Sequence, residues 1–495
     1  MASITTRSSV LAIKKEVTEG TLVKPTTAAD YVALQDDFSM EGGFNLLENA
    51  ELSGGSIGKA KPIIGAEAPT ASLSHYLRHS GIEGQAPNYG LVLEASLGAV
   101  STASTEYDTV AGSTVAVLKV NTGEGATFER GEAVLIKDAV NGYRIRCIDS
   151  IATDDLTLSF NTPVATPISV NLGKCVLYKP ASASHPTLSL WHYIGNSGAL
   201  QAMAGGRVTS AAFSMNAGEL INASYSLEGV GYFFDPISVI AGANLIQFDD
   251  GATKTATIAI KAYKSPIELA DAIATAFTAA SGTTVTCVYS STTGKFTLTK
   301  IAAVDIDWLT GTDTIGATIG FTADDVAVTT TTSDVAVSFA SPQTPSYDSS
   351  DPLVAKDNEV MIGLATEYSC FGASTVSFTI DTPKADISSV CAVSGVSGSI
   401  INAREVTIAV SAQLSQYNAT EFERFRVGTE VKFQYSFGSK SAGNWIAGKS
   451  GALYCPTATI SSFAISDADG LAQLDIELKA FVNSTGAGEV YVAFV

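Results

Sequence analysis

The sequence is poor in charged residues and in the side chains that carry most enzyme chemistry. Only 16% of its 495 residues are charged, and it has 4 His and 3 Trp. Its 6 cysteines form no CxxC pair, so we expect buried thiols in a reducing cytoplasm and no disulfide framework. No run of 18 apolar residues occurs and the N-terminus lacks a signal-peptide pattern, so we expect neither a membrane span nor secretion.

Sites for metals, cofactors or catalysis are also not apparent. His75 and His79 have ligand-like spacing, but on the predicted strand they lie about 13 Å apart, too far for one metal ion with bonds of about 2 Å. The neighbouring carboxylates at 154–155, 249–250 and 324–325 lack EF-hand spacing, which favours solvated turns over calcium sites. No phosphate-binding loop or dinucleotide motif occurs. We therefore predict no catalytic residue, no metal and no cofactor.

Composition favours a globular, mainly β protein of several domains. Hydrophobic residues make up 46% of the chain, and its 43 glycines, with abundant Thr, Ser and Val, favour strands and turns. The net charge of −20 argues against gripping nucleic acid through its phosphates. An acidic surface could still face DNA if its role were to repel it.

An internal repeat is the most informative pattern. Residues 208–218 and 460–470 each read as a strand ending in a glycine turn, and 220–230 then aligns with 471–481. Upstream, residues 69–78 and 404–413 both alternate with period two, and each follows a Gly-rich stretch, at 52–58 and 393–398. Chance similarity of amphipathic strands is the alternative, but the conserved order of features favours a duplicated β domain.

Two insertions separate the repeats. The predicted division is a first domain at 1–110 and 179–236, a small β module at 111–178, an α+β module at 237–328 and a second domain at 329–495. In the α+β module, Ser265, Pro266 and Glu268 predict a capped helix. A second helix, capped by Asn418, ends at Gly428, and residues 87–97 occupy the equivalent place in the first domain.

Several of these segments resemble phage tail tube proteins of long-tailed bacteriophages. The resemblance is carried by residues 16–25, 73–78, 91–96, the hairpin at Gly218 and residues 488–494. It covers both repeats but not the insertions. The insertion from Ile237 to Asp325 is similar to surface modules of phage tail and flagellar hook proteins.

The resemblance implies a β-sandwich whose hairpins join neighbours into a closed barrel, with rings stacked into a tube that conducts the DNA genome. It also implies a virion location, assembly in the host cytoplasm, and a tape measure protein and a tail terminator as partners. Double-stranded DNA would pass transiently and without specificity. A duplicated chain predicts a homotrimeric ring with pseudo-sixfold symmetry, and a homohexamer is the alternative.

Alternating polar positions on the repeated strands are the candidates for lining that lumen, although any half-exposed strand alternates in this way and the same face could be an outer wall. The candidates are Ser210, Ser214, Asn222, Ser224, Ser226, Glu228, Ser462, Ser466, Gln473, Asp475, Glu477 and Lys479.

Other functions remain open at this stage. A distal tail ring or another non-polymerising tail protein would share the fold. A tandem-β adhesin would need secretion. A polysaccharide-degrading tail enzyme would need a carboxylate pair in an aromatic groove, which three tryptophans make improbable.

Overall fold

The computed structural model describes residues 6–49, 61–195, 199–392, 394–414, 419–482 and 488–495. The Gly-rich stretch at 52–58 and the predicted cap Asn418 lie outside these residues. Within them the protein is mainly β, with short helices in both halves and a longer one in the second insertion, as predicted.

The elements follow in chain order. The first segment comprises β1 (Val10–Lys15), β2 (Tyr31–Val32), β3 (Ser39–Glu41), β4 (Phe44–Leu47), β5 (Ile63–Glu67), β6 (Thr70–Tyr76), α1 (Gly90–Leu97) and β7 (Gly98–Ala103). Short strands follow as β8 (Tyr107–Asp108), β9 (Val117–Lys119), β10 (Ala133–Ile136), β11 (Arg144–Ala152), β12 (Asp155–Leu158) and β13 (Asn171–Leu172). The chain then forms β14 (Cys175–Pro180), β15 (Leu188–Ile194), β16 (Ala199–Asn216), β17 (Asn222–Glu228) and β18 (Gly231–Phe234).

The second insertion and second half complete the fold. The insertion contains β19 (Ile237–Ser238), β20 (Leu245–Asp249), β21 (Thr253–Thr257), β22 (Ala262–Tyr263), α2 (Pro266–Ser281), β23 (Val285–Ser290), β24 (Lys295–Asp307) and β25 (Asp325–Thr332). The last segment contains β26 (Glu359–Gly363), β27 (Ala373–Asp381), β28 (Lys384–Ser388), β29 (Val396–Ile401), β30 (Glu405–Gln413), α3 (Ala419–Val427), β31 (Val431–Ser441), β32 (Asn444–Ala468), β33 (Leu471–Ala480) and β34 (Tyr491–Phe494).

One antiparallel sheet runs through both halves of the chain. Its strands pair in the order β3–β6–β17–β16–β27–β30–β33–β32, which we call the shared sheet. The pair β16–β27 joins the first half to the second. One apolar core covers one side of this sheet and draws residues from both halves, including Phe213 and Phe378, whose ring centroids are 6.2 Å apart. The two repeats are therefore fused through a common core.

The duplication is visible in the hydrogen-bond register. The pairing of β16 with β17 shifts between Val208 and Ser210, and the pairing of β32 with β33 shifts between Ile460 and Ser462. These two irregularities fall at positions that the sequence repeat aligns. A β-bulge inserts an extra residue and bends its strand, so a bulge at matching places indicates that the two strand pairs share one design.

The strands that precede the repeated hairpins, β6 and β30, correspond to each other with an offset different from the one that the sequence suggested. Ser74 lies opposite Ser224, and Ser411 lies opposite Asp475. Since Ser224 and Asp475 are aligned by the repeat, Ser74 corresponds to Ser411. The alignment of residues 69–78 with 404–413 was therefore wrong by two residues. A slip of two preserves which side chains face the core, so the alternation alone could not detect it.

The predicted helices form, with local corrections. α1 begins at Gly90, three residues after Pro87, and ends at Gly98 in the left-handed conformation. The hydroxyl of Ser265 accepts from the backbone N–H of Glu268, as predicted for α2. The Glu268 carboxylate does not close the expected box on Ser265, because it accepts from the backbone N–H of Lys264 at 2.6 Å.

In α3, Phe422 and Phe425 share a face, as expected from their spacing. Both rings pack against Phe463 of β32, with centroids 5.6 and 6.4 Å away. Gly428 follows the helix with a φ of +71°. The second half therefore carries one short helix against its longest hairpin.

Each insertion has its own sheet and core. The first insertion has a sheet that spans Tyr107 to Leu172, with the strand order β8–β13–β10–β11–β12–β9. The strand β14, at the end of the predicted first module, pairs instead with β7 and β34 in the main body. In the second, α2 packs on strands β21–β20–β24–β23, and β25 adds to β24 as far as Thr332.

The junction between the halves provides a stability test. Phe378 is fully buried beside Phe213, whereas its neighbour Ser377 is exposed on the opposite face. Phe378→Ala should lower the free energy of unfolding by about 3–5 kcal/mol, because a buried ring is replaced by a cavity. Ser377→Ala, one residue away, should change it by less than about 0.5 kcal/mol. Urea denaturation followed by circular dichroism measures both, and equal effects would contradict the assigned faces.

Candidate functional site

The twelve predicted polar positions lie on a single face of the shared sheet. Directly paired residues of antiparallel strands project to the same side, and the register connects every candidate strand. We call this side, opposite the core, the polar face. One cross-strand row contains Ser72, Ser226, Ser210, Asp381 and Glu405. Another contains Tyr76, Asn222, Ser214, Ser377, Ala409, Glu477 and Ser462.

The rows between and beyond these have the same small, polar character. The row between them contains Ser74, Ser224, Ala212, Thr379, Thr407, Lys479 and Thr459. The next contains Asn216, Thr375, Ser411, Asp475 and Ala464, and the last contains Gln413, Gln473 and Ser466. Glu228 lies opposite Thr70, in the row beyond Ser226 and Ser72. Thus the face carries hydroxyls, amides, alanines and charges across both repeats.

Strict alternation of apolar and polar residues along each strand separates the core from the polar face. Between the polar positions lie Tyr225, Phe213 and Ile476, which are at most 2% exposed in the common core. Because side chains of a strand point alternately to its two sides, each strand must satisfy both a dry side and a hydrated side. The core therefore fixes the polar face in place.

The charge on the polar face is mainly negative. Its carboxylates are Glu41, Glu228, Asp381, Glu405, Asp475 and Glu477. Lys479 pairs with Glu405 at 2.5 Å, and this contact raises the pKa of Lys479. At the margin, the nearly buried Lys384 lies 3.6 Å from Glu228.

Hydrogen bonds along the rows hold several carboxylates in place. Asp475 accepts from Ser411 at 2.6 Å and from Ser466 at 2.5 Å. Asp381 accepts from Ser210 at 2.7 Å, across the junction of the two halves. Serine hydroxyls thus orient the negative groups without neutralising them.

Sequence reasoning missed about half of this surface. β27 and its partner β30 were not assigned to it, although they contribute Thr375, Thr379, Asp381, Glu405 and Thr407. The alternation of Val376, Phe378 and Ile380 with polar residues was a usable signal. What the sequence did not reveal was that β27 pairs with β16 of the other repeat.

His75 and His79 lie in the interior of the protein. β6 ends at Tyr76, so His75 lies on the strand and His79 beyond it, and both are buried. His75 lies between the rings of Tyr89 and Tyr225, at 4.2 and 5.5 Å, and burial lowers its pKa to about 4. No group of three or more His, Cys, Asp or Glu placed to hold a metal occurs among the described residues.

In the acidic pairs at 249–250 and 324–325, carboxylates have specific partners. Asp250 binds both Lys254 and Lys300, and its side chain is only 8% exposed. Asp324 accepts from the backbone N–H of Leu309 at 2.7 Å, and Asp325 accepts from the indole of Trp308 at 2.7 Å. These carboxylates stabilise turns and strands of the second insertion. In the part of the chain that is described, no helix is long and apolar enough to cross a membrane.

Comparison with known proteins identifies the family. The model described as "Phage tail tube protein" matches residues 6–264, just over half of the chain. A chain of the structure titled "Virion of native gene transfer agent (GTA) particle" is 14% identical, with a TM-score of 0.19. That match covers 27% of this chain and 93% of the other, and its TM-score is too low to support an argument. Comparison with curated proteins gave no match.

Burial of His75 predicts a pH dependence of stability. Its folded pKa of about 4 is below the ordinary 6.5, so the unfolded chain alone takes up this proton between those values. Stability should therefore fall as the pH falls from about 6.5 towards 4, with a share from His75 on the order of 3 kcal/mol. His75→Phe keeps a ring between the tyrosines and removes the titration.

The measurement is the free energy of unfolding at pH 7 and at pH 4.5. The difference between the two pH values should be smaller in His75→Phe than in the unchanged protein. His192→Phe is the control, because His192 is partly exposed and should account for less of the difference. An unchanged difference in His75→Phe would contradict the assignment.

Proposed function

Because this chain belongs to the phage tail tube protein family, we propose that it is a non-enzymatic structural subunit whose copies close into rings and stack into a tail tube that conducts DNA. In this proposal the polar face lines the bore. The tape measure protein and the tail terminator that the family implies would be its partners, and assembly would take place in the host cytoplasm before the tail joins the virion.

The observation that carries the proposal is the continuity of the shared sheet across β16 and β27. In the order of the shared sheet, β16 is the final strand of the first repeat and β27 is the initial strand of the second. Their pairing leaves the polar face unbroken. At the outer ends of the shared sheet, one edge of β3 and one edge of the Ser461–Asp467 stretch of β32 have no strand partner in the described part of the chain. An open strand edge is a template for pairing with another chain, so the same arrangement can continue from copy to copy.

Strand number favours three chains in a ring. Each chain supplies eight strands to the shared sheet, four from each repeat. With strands about 4.8 Å apart and tilted by about 40°, three chains would close a barrel about 45–50 Å across between backbones. Six chains would double that width. The trimer with pseudo-sixfold symmetry therefore gives a bore that suits a single hydrated duplex.

The electrostatics suit passage of DNA and not its retention. A face with six carboxylates and few cations repels phosphate groups, and its small hydroxyl side chains keep water at the surface. A basic lining would instead release counterions from DNA and bind it. An acidic bore leaves the duplex free to slide.

Electron microscopy of the purified protein tests the assembly. Hollow tubes of regular repeat, with threefold symmetry in averaged end views, are expected at high concentration. A single ring that never stacks would favour a distal tail ring or another non-polymerising tail protein. Monomers that stay dispersed at high concentration would contradict the proposal.

Charge reversal tests the lining. Glu228→Lys combined with Glu477→Lys should leave tubes of normal appearance but make them retain double-stranded DNA, because both new cations would face the bore. The readout is DNA release from particles carrying the variant, expected to fall at least tenfold, together with salt-dependent DNA binding by the tubes.

The matched control for this test is Asp108→Lys combined with Asp271→Lys. It makes the same charge change on exposed residues of the two inserted modules. Release should stay normal in this variant. Equal loss of release in both variants would show that overall charge matters and that the polar face has no special role.

A further inference from the structure

We propose that β3 and the β4–β5 hairpin of one copy dock on the second repeat of the next copy, with β3 extending the edge of β32 and the hairpin filling a cleft beside β33. This rests on the proposed ring and specifies its contact. The template for it lies within the chain, at the junction of the two repeats.

At that internal junction, the second repeat reaches onto the first. β27 pairs with β16, and the β28–β29 hairpin covers the end of β17. Lys384 donates to the carbonyl of Gly229 at 3.5 Å, and the Arg207 guanidinium donates to Ser399 at 2.6 Å. The backbone N–H of Glu67 donates to the carbonyl of Ser394 at 3.3 Å. A strand and the hairpin after it thus act together as an arm.

The first repeat has the same arm. Among the described residues, β3 pairs only with β6 and β4 only with β5, while Phe44 packs on Tyr232 and Glu67 binds Lys264 of the same chain. β4–β5 lies between β3 and β6 just as β28–β29 lies between β27 and β30. Since Ser72 corresponds to Ala409, their partners Ser39 and Ser377 correspond as well, and Glu41 corresponds to Thr379. The exposed apolar side chains of this hairpin are Phe44, Leu46, Leu47, Ile63 and Ile64, each 48–66% exposed. Such a strip is typical of an interaction surface.

Correspondence between the repeats fixes the register of the contact. Ser377 lies opposite Ser214, and Thr379 lies opposite Ala212. Ser214 corresponds to Ser466, and Ala212 to Ala464. Ser39 of one copy should therefore lie opposite Ser466 of the next, and Glu41 opposite Ala464.

The apolar side of the edge supports this register. Phe213, which packs against Phe378 at the internal junction, is 1% exposed, whereas the corresponding Ile465 is 52% exposed. Phe378 corresponds to Met40 of β3. Pairing of β3 with β32 would bring Met40 of one copy beside Ile465 of the next and cover it.

A cleft of about 650 Å³ lies where the hairpin would bind. Ala480 and Arg404 line it, and they correspond to Gly229 and Glu67, which the β28–β29 arm covers in the first repeat. The buried Nε atoms of Arg404 and Arg130 in its wall have no hydrogen-bond partner among the described residues. An unpaired buried donor is costly, so a shift of either guanidinium that brings its Nε to a backbone carbonyl of the docked hairpin would relieve that cost.

Disulfide cross-linking in assembled tubes tests the register. In a Cys370→Ser/Cys391→Ser background, which removes the exposed thiols, Ser39→Cys and Ser466→Cys are introduced together. Directly opposed residues of antiparallel strands have Cα atoms about 4.5–5.5 Å apart, within disulfide range. Oxidised tubes should give covalent dimers and trimers on a non-reducing denaturing gel, with most chains linked. Each single substitution should give monomers.

A register-shifted pair is the matched control. Ser39→Cys with Ser462→Cys uses the same residue types on the same face, but places them about 13 Å apart, and should give at least tenfold less product. If the Ser39/Ser466 variant does not assemble, cross-linking of Glu41→Cys with Ala464→Cys tests the same register in the adjacent row. Well-formed tubes that yield only monomers from both pairs, or that link the control pair, would overturn the docking while leaving the tube intact. Absence of tubes from the unchanged protein would instead defeat the proposed function.

Discussion

The pairing of β16 with β27 is the interaction on which the rest of the structure depends. Seven opposed residue pairs join the last sheet strand of the first repeat to the first of the second. Backbone hydrogen bonds between them remove two open edges that isolated repeats would expose. The same pairing brings Phe213 and Phe378 together, so that two small sandwiches share one core. It therefore joins the two repeats into one continuous sheet.

A continuous sheet of this kind imposes opposite requirements on its two sides. The core side is filled by large side chains such as Phe213, Phe378 and Ile408. The polar side carries serine, threonine and alanine, whose side chains are short. Carboxylates such as Glu228 and Glu477 give it negative charge. A single alternating pattern thus supplies both an apolar core and a small, mainly acidic polar face.

The two insertions are attached without breaking this sheet. β7 and β14, which flank the first insertion, pair directly with each other. Its contact with the body includes an apolar cluster that contains Leu135, Ile145 and Tyr454. Buried polar contacts add to it, because Gln434 accepts from Ser159 at 2.5 Å and Asp149 accepts from Lys432 at 2.6 Å. The second insertion has its own core, and Lys264 binds Glu67 of the main body. Both insertions therefore leave the strand pairing of the shared sheet intact.

The sequence alone determined what depends on local pattern. Alternation assigned Ser224 and Asp475 to the polar side of their strands, the repeat related β16 to β32, and the capping residue Ser265 placed the start of α2. The tertiary structure decided which strands are neighbours, because pairing β27 with β16 brings together residues more than 150 positions apart and no local signal encodes it. It also decided the two-residue offset between Ser74 and Ser411, since alternation looks the same after a slip of two. The period of the alternation determines on which side of a strand each side chain lies. The pairing partners and the register of a strand are determined by how whole strands pack against a common core.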